Sequence, residues 1–239
     1  MDVLLKPFYN HRFVHVDLTA STVEGMPVPK EMLVEGIGGT GITRLLHSRF
    51  SDGDPIVLGC GPLSGSFAPA SCLMVATFSP DSRTLCHVPF LVNAGPQLKF
   101  SGMDFLVITG HADQQIMLEV MNGTVRISRA ETLTGSISER ESILLAKGKY
   151  CPEAILLTGQ AAETGSPSAV VSSGLWGSLD KAGLGSFAEG KNIRAITLLA
   201  SGGVPFLDGG RDLGESLMKT LRNRHKKRQY VVQDMMASG

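Results

Sequence analysis

The chain has 239 residues, 43% of them hydrophobic, and its 22 lysines and arginines balance 22 aspartates and glutamates. That length and apolar content suffice for one large domain or two closely packed halves, and the absence of net charge excludes a long-range field toward nucleic acid or an anionic membrane. Only 18% of residues are charged and 28 are glycine, a loop-rich composition that suits a protein covering part of its surface with a partner.

In chain order, residues 12–18 alternate as a half-buried strand, and residues 22–28 can return beside it as a hairpin. Residues 29–36 read as one or two helical turns ended by glycine. Gly38-Gly39-Thr40-Gly41 follows, and then Ile42, Leu45 and Leu46 recur at helical spacing in a helix that should end before Asp52. An apolar strand over 55–59, a Gly/Ser/Pro loop and a strand over 72–78 come next. Pro96 can begin a short helix that Gly102 ends, leading into a buried strand over 104–110. Residues 116–121 and 124–128 flank Asn122-Gly123, a strong hairpin signal. Residues 138–147 read as a helix, with Ser138 and Glu141 as its capping box.

The pattern then returns. Residues 154–160 form a strand running into a small-residue loop, and 168–173 a second strand. Gly61 and Gly159 are 98 residues apart, as are Pro69 and Pro167. Residues 103–108 have a looser counterpart in 193–198. We read this as a duplication of two similar halves, about 12–110 and 111–205, within a domain spanning 1–208; two independent strand–turn–strand units are the other reading. From 209 to 239 the composition shifts: Leu213, Leu217 and Leu221 recur every four residues before the basic run 222–228, an amphipathic helix whose positive end suits its dipole.

The four cysteines, Cys60, Cys72, Cys86 and Cys151, form no C-x-x-C pair and no zinc spacing, so buried or idle thiols in a reducing compartment are expected. No stretch approaches ~20 apolar residues, and residues 1–12 lack a signal core; a cytoplasmic protein is expected. His47, His87 and His111 stand isolated and read as surface or loop residues. No residue stands out as a general acid or base or as a metal ligand.

Three stretches carry chemistry. The first, over 36–41, opens a helix with glycines that expose backbone amides to an anion; it lacks the G-x-G-x-x-G spacing and the lysine and serine of a P-loop. The second, over 93–104, is a helix-to-strand connection. The third places Lys181 beside Gly183-Leu184-Gly185 just before a strand, where amides and a cation could receive a phosphate or a polar ring; a plain glycine-rich connection with a surface lysine is the competing reading.

Taken in order, these stretches resemble the amino-terminal domain of the aldehyde ferredoxin oxidoreductase family over about residues 12–205. A family strand is similar to Phe13-Val14-His15-Val16-Asp17-Leu18-Thr19. A glycine-arginine-glycine helix start corresponds to Gly39-Thr40-Gly41, a Gly-Pro loop to Gly61-Pro62 and a Ser-Pro to Ser79-Pro80. The family's Gly-Pro-Glu-Leu-Lys-Phe-Ala-Gly-Tyr-Asp matches residues 95–104 nearly word for word. Its Gly-Leu-Gly and following Ser-Lys-Asn-Leu-Lys-Ala-Ile match residues 183–196.

The resemblance implies an α+β fold built from a repeat, whose halves form a base for a bis-pterin cofactor holding tungsten or molybdenum. It implies Gly39, Thr40, Gly41, Cys72, Gly95, Lys181, Gly183, Leu184 and Gly185 as cofactor-facing positions. The complete enzymes oxidise an aldehyde to a carboxylic acid and pass electrons through an iron–sulfur cluster to ferredoxin. Here the family's arginines have become Thr40, about Cys72, and Lys181, and the last keeps charge without the bidentate fork. No cluster-binding cysteine run is present, so no iron–sulfur cluster is expected on this chain. Three roles follow: a pterin-facing subunit beside a partner carrying the cluster; a non-catalytic binding or assembly module, such as a homodimer, that has lost the cofactor; or a cleft for another phosphorylated small molecule.

Overall fold

A computed structural model describes residues 8–66, 72–79, 82, 84–91, 93–147, 152–174, 178–204, 212, 215, 216, 218–220 and 222–224. Two mixed sheets lie face to face. The first contains β1 (Arg12–Asp17), β2 (Thr22–Pro27), β3 (Ile56–Cys60), β4 (Leu73–Phe78), β5 (Leu85–Phe90) and β6 (Phe105–Thr109), in the order β2-β1-β6-β3-β4-β5. The second contains β7 (Ile116–Met121), β8 (Thr124–Arg129), β9 (Ala154–Thr158), β10 (Val171–Ser172) and β11 (Ile193–Leu199), in the order β10-β9-β11-β7-β8. The helices are α1 (Lys30–Glu35), α2 (Gly39–Arg49), α3 (Ala94–Phe100), α4 (Ile137–Lys147), α5 (Gln160–Glu163) and α6 (Leu184–Gly190). The mixed sheets and helices form the expected α+β fold.

Alternation assigns the faces. Val14, Val16, Leu58, Leu106 and Ile108 point inward, meeting Leu118, Val120, Leu156, Ile196 and Leu198 of the second sheet in one core. Phe13, Val57, Phe105 and Val107 point outward under Ile42 and Leu46 of α2. Ile155, Leu157 and Ala195 do the same under Leu144 of α4. Strands buried on both faces read as unbroken apolar runs, which is why β3, β6 and β9 show no polar alternation.

The two sheets share one pairing scheme. β1 is antiparallel to β2 and parallel to β6, while β3 is antiparallel to both β6 and β4. β7 relates to β8 and β11, and β9 to β11 and β10, in the same senses. α2 and α4 each have 11 residues and start 98 positions apart; α3 and α6 each have 7 and start 90 apart. The offset shortens by eight where the first half carries β5, which has no second-half counterpart among the described residues. A buried ion pair also recurs with its signs exchanged. Lys99 at the end of α3 meets Asp104 at 2.7 Å, and Glu189 at the end of α6 faces Arg194 at 3.8 Å.

Several expectations need correction. β5 escaped notice because Pro89 argues against a strand; it is tolerated on the edge, where no ladder partner lies beyond. The capping box of α4 is Ser136 and Glu139, two residues before the expected pair: Glu139 accepts from the Ser136 amide at 2.7 Å. The strand read over 168–173 shrinks to Val171–Ser172, and the Gly-Leu-Gly segment opens a helix, α6. His47 is 2% exposed, packed between α2 and the sheet rather than at the surface, while His111 is exposed in a loop. Asn122 (φ 43°) and Gly123 (φ 84°) make the expected left-handed turn. Pro69, Pro80, Cys151 and Leu213, Leu217 and Leu221 lie outside the described residues. Described positions between 212 and 224 are helical, and no described helix is long and apolar enough to cross a membrane.

Candidate functional site

The described contacts join the expected site residues into two groups, one per half. In the first, β3 ends at Cys60 and α2 begins above it. Gly39 lies against the Gly59 carbonyl and Met74, while the Cys72 thiol points at the Met74 sulfur, 3.7 Å away. Gly95, in the first turn of α3, lies on the Cys72 backbone; a Cβ there would stand 2.9 Å from the Cys72 carbonyl carbon. Gly39, Thr40, Gly41, Cys72 and Gly95 thus share one corner, with Thr40 exposed and Cys72 half-buried.

The second group occupies the matching corner of the other sheet. Gly185, in the first turn of α6, lies on the backbone before β10, where a Cβ would stand 2.6 Å from the Val170 carbonyl carbon. Gly183 takes a left-handed conformation (φ 76°) as the N-cap of α6. Leu184 is a core side chain, 3% exposed, lining a small apolar void of about 20 Å³ between the sheets with Ile56, Val75 and Leu156. Lys181 is exposed. None of the described contacts connects this group to the first.

The two corners differ in their electrostatics. At α2 the Gly38 amide donates to the Tyr9 hydroxyl at 3.1 Å, and the next satisfied backbone donor is Ile42, which reaches the Gly38 carbonyl. The amides of Gly39, Thr40 and Gly41 have no partner among the described residues. Gly38 (φ 94°) has nothing within 4 Å of where a Cβ would lie. This helix end therefore keeps free donors and its positive dipole end. At the matching position, α4 is closed by its own Glu139. Before α6, Asp180 accepts from the Ala182 amide at 2.8 Å and from the Val171 amide at 3.3 Å. Carboxylates of the chain itself thus hold the start of α4 and the loop before α6, while the amides of Gly39, Thr40 and Gly41 stay open.

Two findings were not legible in the sequence. Gly41, Gly95 and Gly185 are required by backbone contact: a Cβ on Gly41 would lie 2.6 Å from the Gly36 carbonyl oxygen. Gly95→Ala and Gly185→Ala should each lower stability by about 1–3 kcal/mol in urea denaturation, because the facing atoms are backbone and cannot rotate away. Unchanged stability would assign these glycines to a guest alone. The second finding is the buried Lys99–Asp104 pair beneath this corner. Lys99 also reaches the Gly61 carbonyl at 3.5 Å and lies 4.4 Å from the Tyr9 ring centroid. Burial pushes the Cys60 thiol up to about 12. In native alkylation Cys60 should stay unmodified while half-buried Cys72 and Cys86 react, which peptide mass spectrometry would read.

No cluster of three or more His, Cys, Asp or Glu side chains able to hold a metal occurs among the described residues. A model of the aldehyde ferredoxin oxidoreductase N-terminal domain matches residues 13–200. A tungsten-containing aldehyde ferredoxin oxidoreductase of Pyrococcus abyssi is 27% identical over 97% of this chain and 38% of its own length. The aliphatic sulfonate oxidoreductase, WOR-like subunit, of Pyrococcus furiosus is 24% identical over 82% of this chain and 35% of its own length. Among solved structures, the active site complex BamBC of benzoyl coenzyme A reductase, in complex with 1,5-dienoyl-CoA, superposes with a TM-score of 0.76. That match has 21% identity and covers 91% of this chain and 35% of that one, a likeness of fold. The chain spans less than two fifths of the length of these relatives. With a family match over most of its length, this chain belongs to the aldehyde ferredoxin oxidoreductase family through that family's N-terminal domain.

Proposed function

We propose that this chain is the pterin-facing scaffold of an oxidoreductase, working with a partner subunit that carries the iron–sulfur cluster. The observation that carries this reading is the equivalence of the two corners: Gly95 on Cys72 and Gly185 on Val170 are the same contact in each sheet. A duplicated base of this kind suits a cofactor with two similar arms, and the shared pairing scheme supports descent of the halves, about 12–110 and 111–205, from one repeat. The name of the Pyrococcus abyssi relative, which specifies tungsten, and that of the Pyrococcus furiosus relative, which specifies a subunit, support the same reading.

The residues present fit such a group at backbone level. The free amides of Gly39, Thr40 and Gly41 would receive an anionic oxygen, with Gly38 leaving room for close approach, and Lys181 would supply charge at the second corner. A bound tungstopterin would supply the redox chemistry; this chain's part is to hold and orient it. Without arginines at Thr40 and Cys72, the hold loses charge-assisted hydrogen bonds of roughly 1.5–3 kcal/mol each, so additional donors from a partner are required. We place the protein in the cytoplasm, with 209–239 as a separate tail helix.

The test is metal and pterin analysis of the protein, purified with its partners from cells grown with tungstate and molybdate. Stoichiometric tungsten or molybdenum, pterin fluorescence after oxidation and a co-purifying chain with clustered cysteines are expected. A colourless, metal-free monomer or homodimer sinks the proposal. It would favour instead a non-catalytic assembly module, a reading that the self-capped α4 also supports.

A further inference from the structure

One half of the repeat covers a sheet face that the other half leaves open. On the outer face of the first sheet, Phe13 and Phe105 are paired neighbours, and both are buried. Phe50 closes over that face, with its ring centroid 6.1 Å from Phe13 and 4.6 Å from His15. Tyr9 lies beside Phe105, 6.4 Å between centroids. Helix α1 adds Leu33 to the same cluster as it packs along α2.

The matching pair in the second sheet is Met117 and Ala195. There the covering groups are missing. The 98-residue offset that relates α2 to α4 takes Phe50 to Gly148, which has no side chain. The 104-residue offset from Phe13 to Met117 takes buried Tyr9 to exposed Asp113. Eleven residues, 28–38, join β2 to α2 and include α1; seven, 130–136, join β8 to α4 and contain no helix. The result is a groove of about 450 Å³ between α4 and β8. Its floor carries Met117, Met121 and Leu199 and its wall Ile143 and Leu144, with Met121 40% exposed. The rim selects the occupant. Glu119 is already held by the Ser128 hydroxyl and, at 3.7 Å, by Arg126. Arg129 is exposed and has no ion pair among the described residues. A surplus cation over an apolar floor repels the chain's own basic run, 222–228, and suits a guest bearing carboxylates. The shape of that guest is given by α1, which sets Met32 and Leu33 between Glu31 and Glu35.

We propose that this groove seats an acidic amphipathic helix of a partner chain, which takes in the second half the place that α1 takes in the first. Its apolar side chains fill the floor, and its carboxylates meet Arg126 and Arg129. None of the groove's lining residues belongs to either cofactor-facing corner, so the inference stands apart from the scaffold reading.

The experiment is fluorescence anisotropy of the full chain against a fluorescein-labelled peptide of about 18 residues, long enough to be helical in water, with leucines on one face and glutamates on the other. Saturable binding in the micromolar range is expected, and the same peptide with lysine for glutamate should not bind. Met121→Asp, and separately Arg126→Glu with Arg129→Glu, should each weaken binding at least about tenfold. Arg222→Gln with Arg224→Gln should leave it unchanged. The altered groove residues are exposed, and circular dichroism checks that each variant folds; if Met121→Asp does not, the arginine variant decides alone. The proposal is overturned if no saturable binding occurs, or if the lysine peptide or the groove variants bind as wild type does with the glutamate peptide. Loss on changing Arg222 and Arg224 would put the peptide on the tail and overturn it too. Binding that appears only in Leu217→Asp with Leu221→Asp would make the chain's own tail the occupant. Dimerisation in sedimentation that Met121→Asp abolishes would make the occupant a second copy; either result replaces the partner helix.

Discussion

Glu163→Gln is expected to lower the unfolding free energy by about 3–5 kcal/mol, the usual cost of removing one partner from a buried ion pair. One oxygen of Glu163 accepts from both Arg140 and Arg194. Arg140 is fully buried and Arg194 is 6% exposed. Their remaining hydrogen bonds go to neutral groups: Arg140 to the Thr158 carbonyl at 2.7 Å, the Thr158 hydroxyl at 3.4 Å and the Gly135 carbonyl at 3.0 Å, and Arg194 to the Leu133 carbonyl at 2.7 Å. These bonds balance no charge, and the buried Arg194 Nε has no hydrogen-bond partner among the described residues. Burial already pulls the Arg140 pKa below its usual value, and Glu163 is the chief influence opposing it. Without that carboxylate, two guanidiniums would share Glu189, which stands 3.8 Å from Arg194.

The measurement is urea denaturation near pH 7, where the midpoint should fall with the slope unchanged. Added salt should recover little, since buried charges are weakly screened. Glu163 is 29% exposed, which places the effect toward the lower end of the range. A loss below about 1 kcal/mol would mean that water already carries the charge, as in a surface pair.

What was readable in the chain was whatever short-range pattern controls. Strand alternation over 12–17, the Asn122-Gly123 hairpin and the helical spacing of Ile42 and Leu46 are local signals, and each is found in place. β5 was hidden because Pro89 forbids an interior strand, and a sequence does not say which strand is an edge. α6 was hidden because its opening Gly-Leu-Gly is a poor helix former; Leu184 and Ala188, buried between the sheets, supply what propensity does not. The site was half legible. Glycines at 39, 41, 183 and 185 announced turns, but the atoms that make Gly95 and Gly185 obligatory belong to residues 72 and 170. His47 was misread because an isolated histidine carries no mark of the helix face it lands on. The exchange of Lys99–Asp104 for Glu189–Arg194 is invisible to letter-by-letter comparison of the halves, since each position changes sign while the pair survives.

That pair supplies the second large effect. Asp104→Asn should destabilise by about 3–5 kcal/mol, because it strands the Lys99 ammonium where both side chains have no exposure. Asparagine keeps an oxygen for the Asn10 amide, 3.1 Å from the carboxylate, so the change isolates charge more than hydrogen bonding. Replacing both partners, as in Lys99→Met with Asp104→Leu, should cost less than Asp104→Asn alone, since no ion is then left uncompensated. The loss should also be felt at the open corner. Lys99 sits 4.4 Å from the Tyr9 ring centroid, and the Tyr9 hydroxyl holds the Gly38 amide at the start of α2. An ammonium seeking water would pull away from that ring, so amide exchange at Gly38 should quicken in Asp104→Asn more than at Leu106, in the same sheet. Equal acceleration at both would mean only global loosening, and the buried pair would then be a general support rather than the brace of the open helix end.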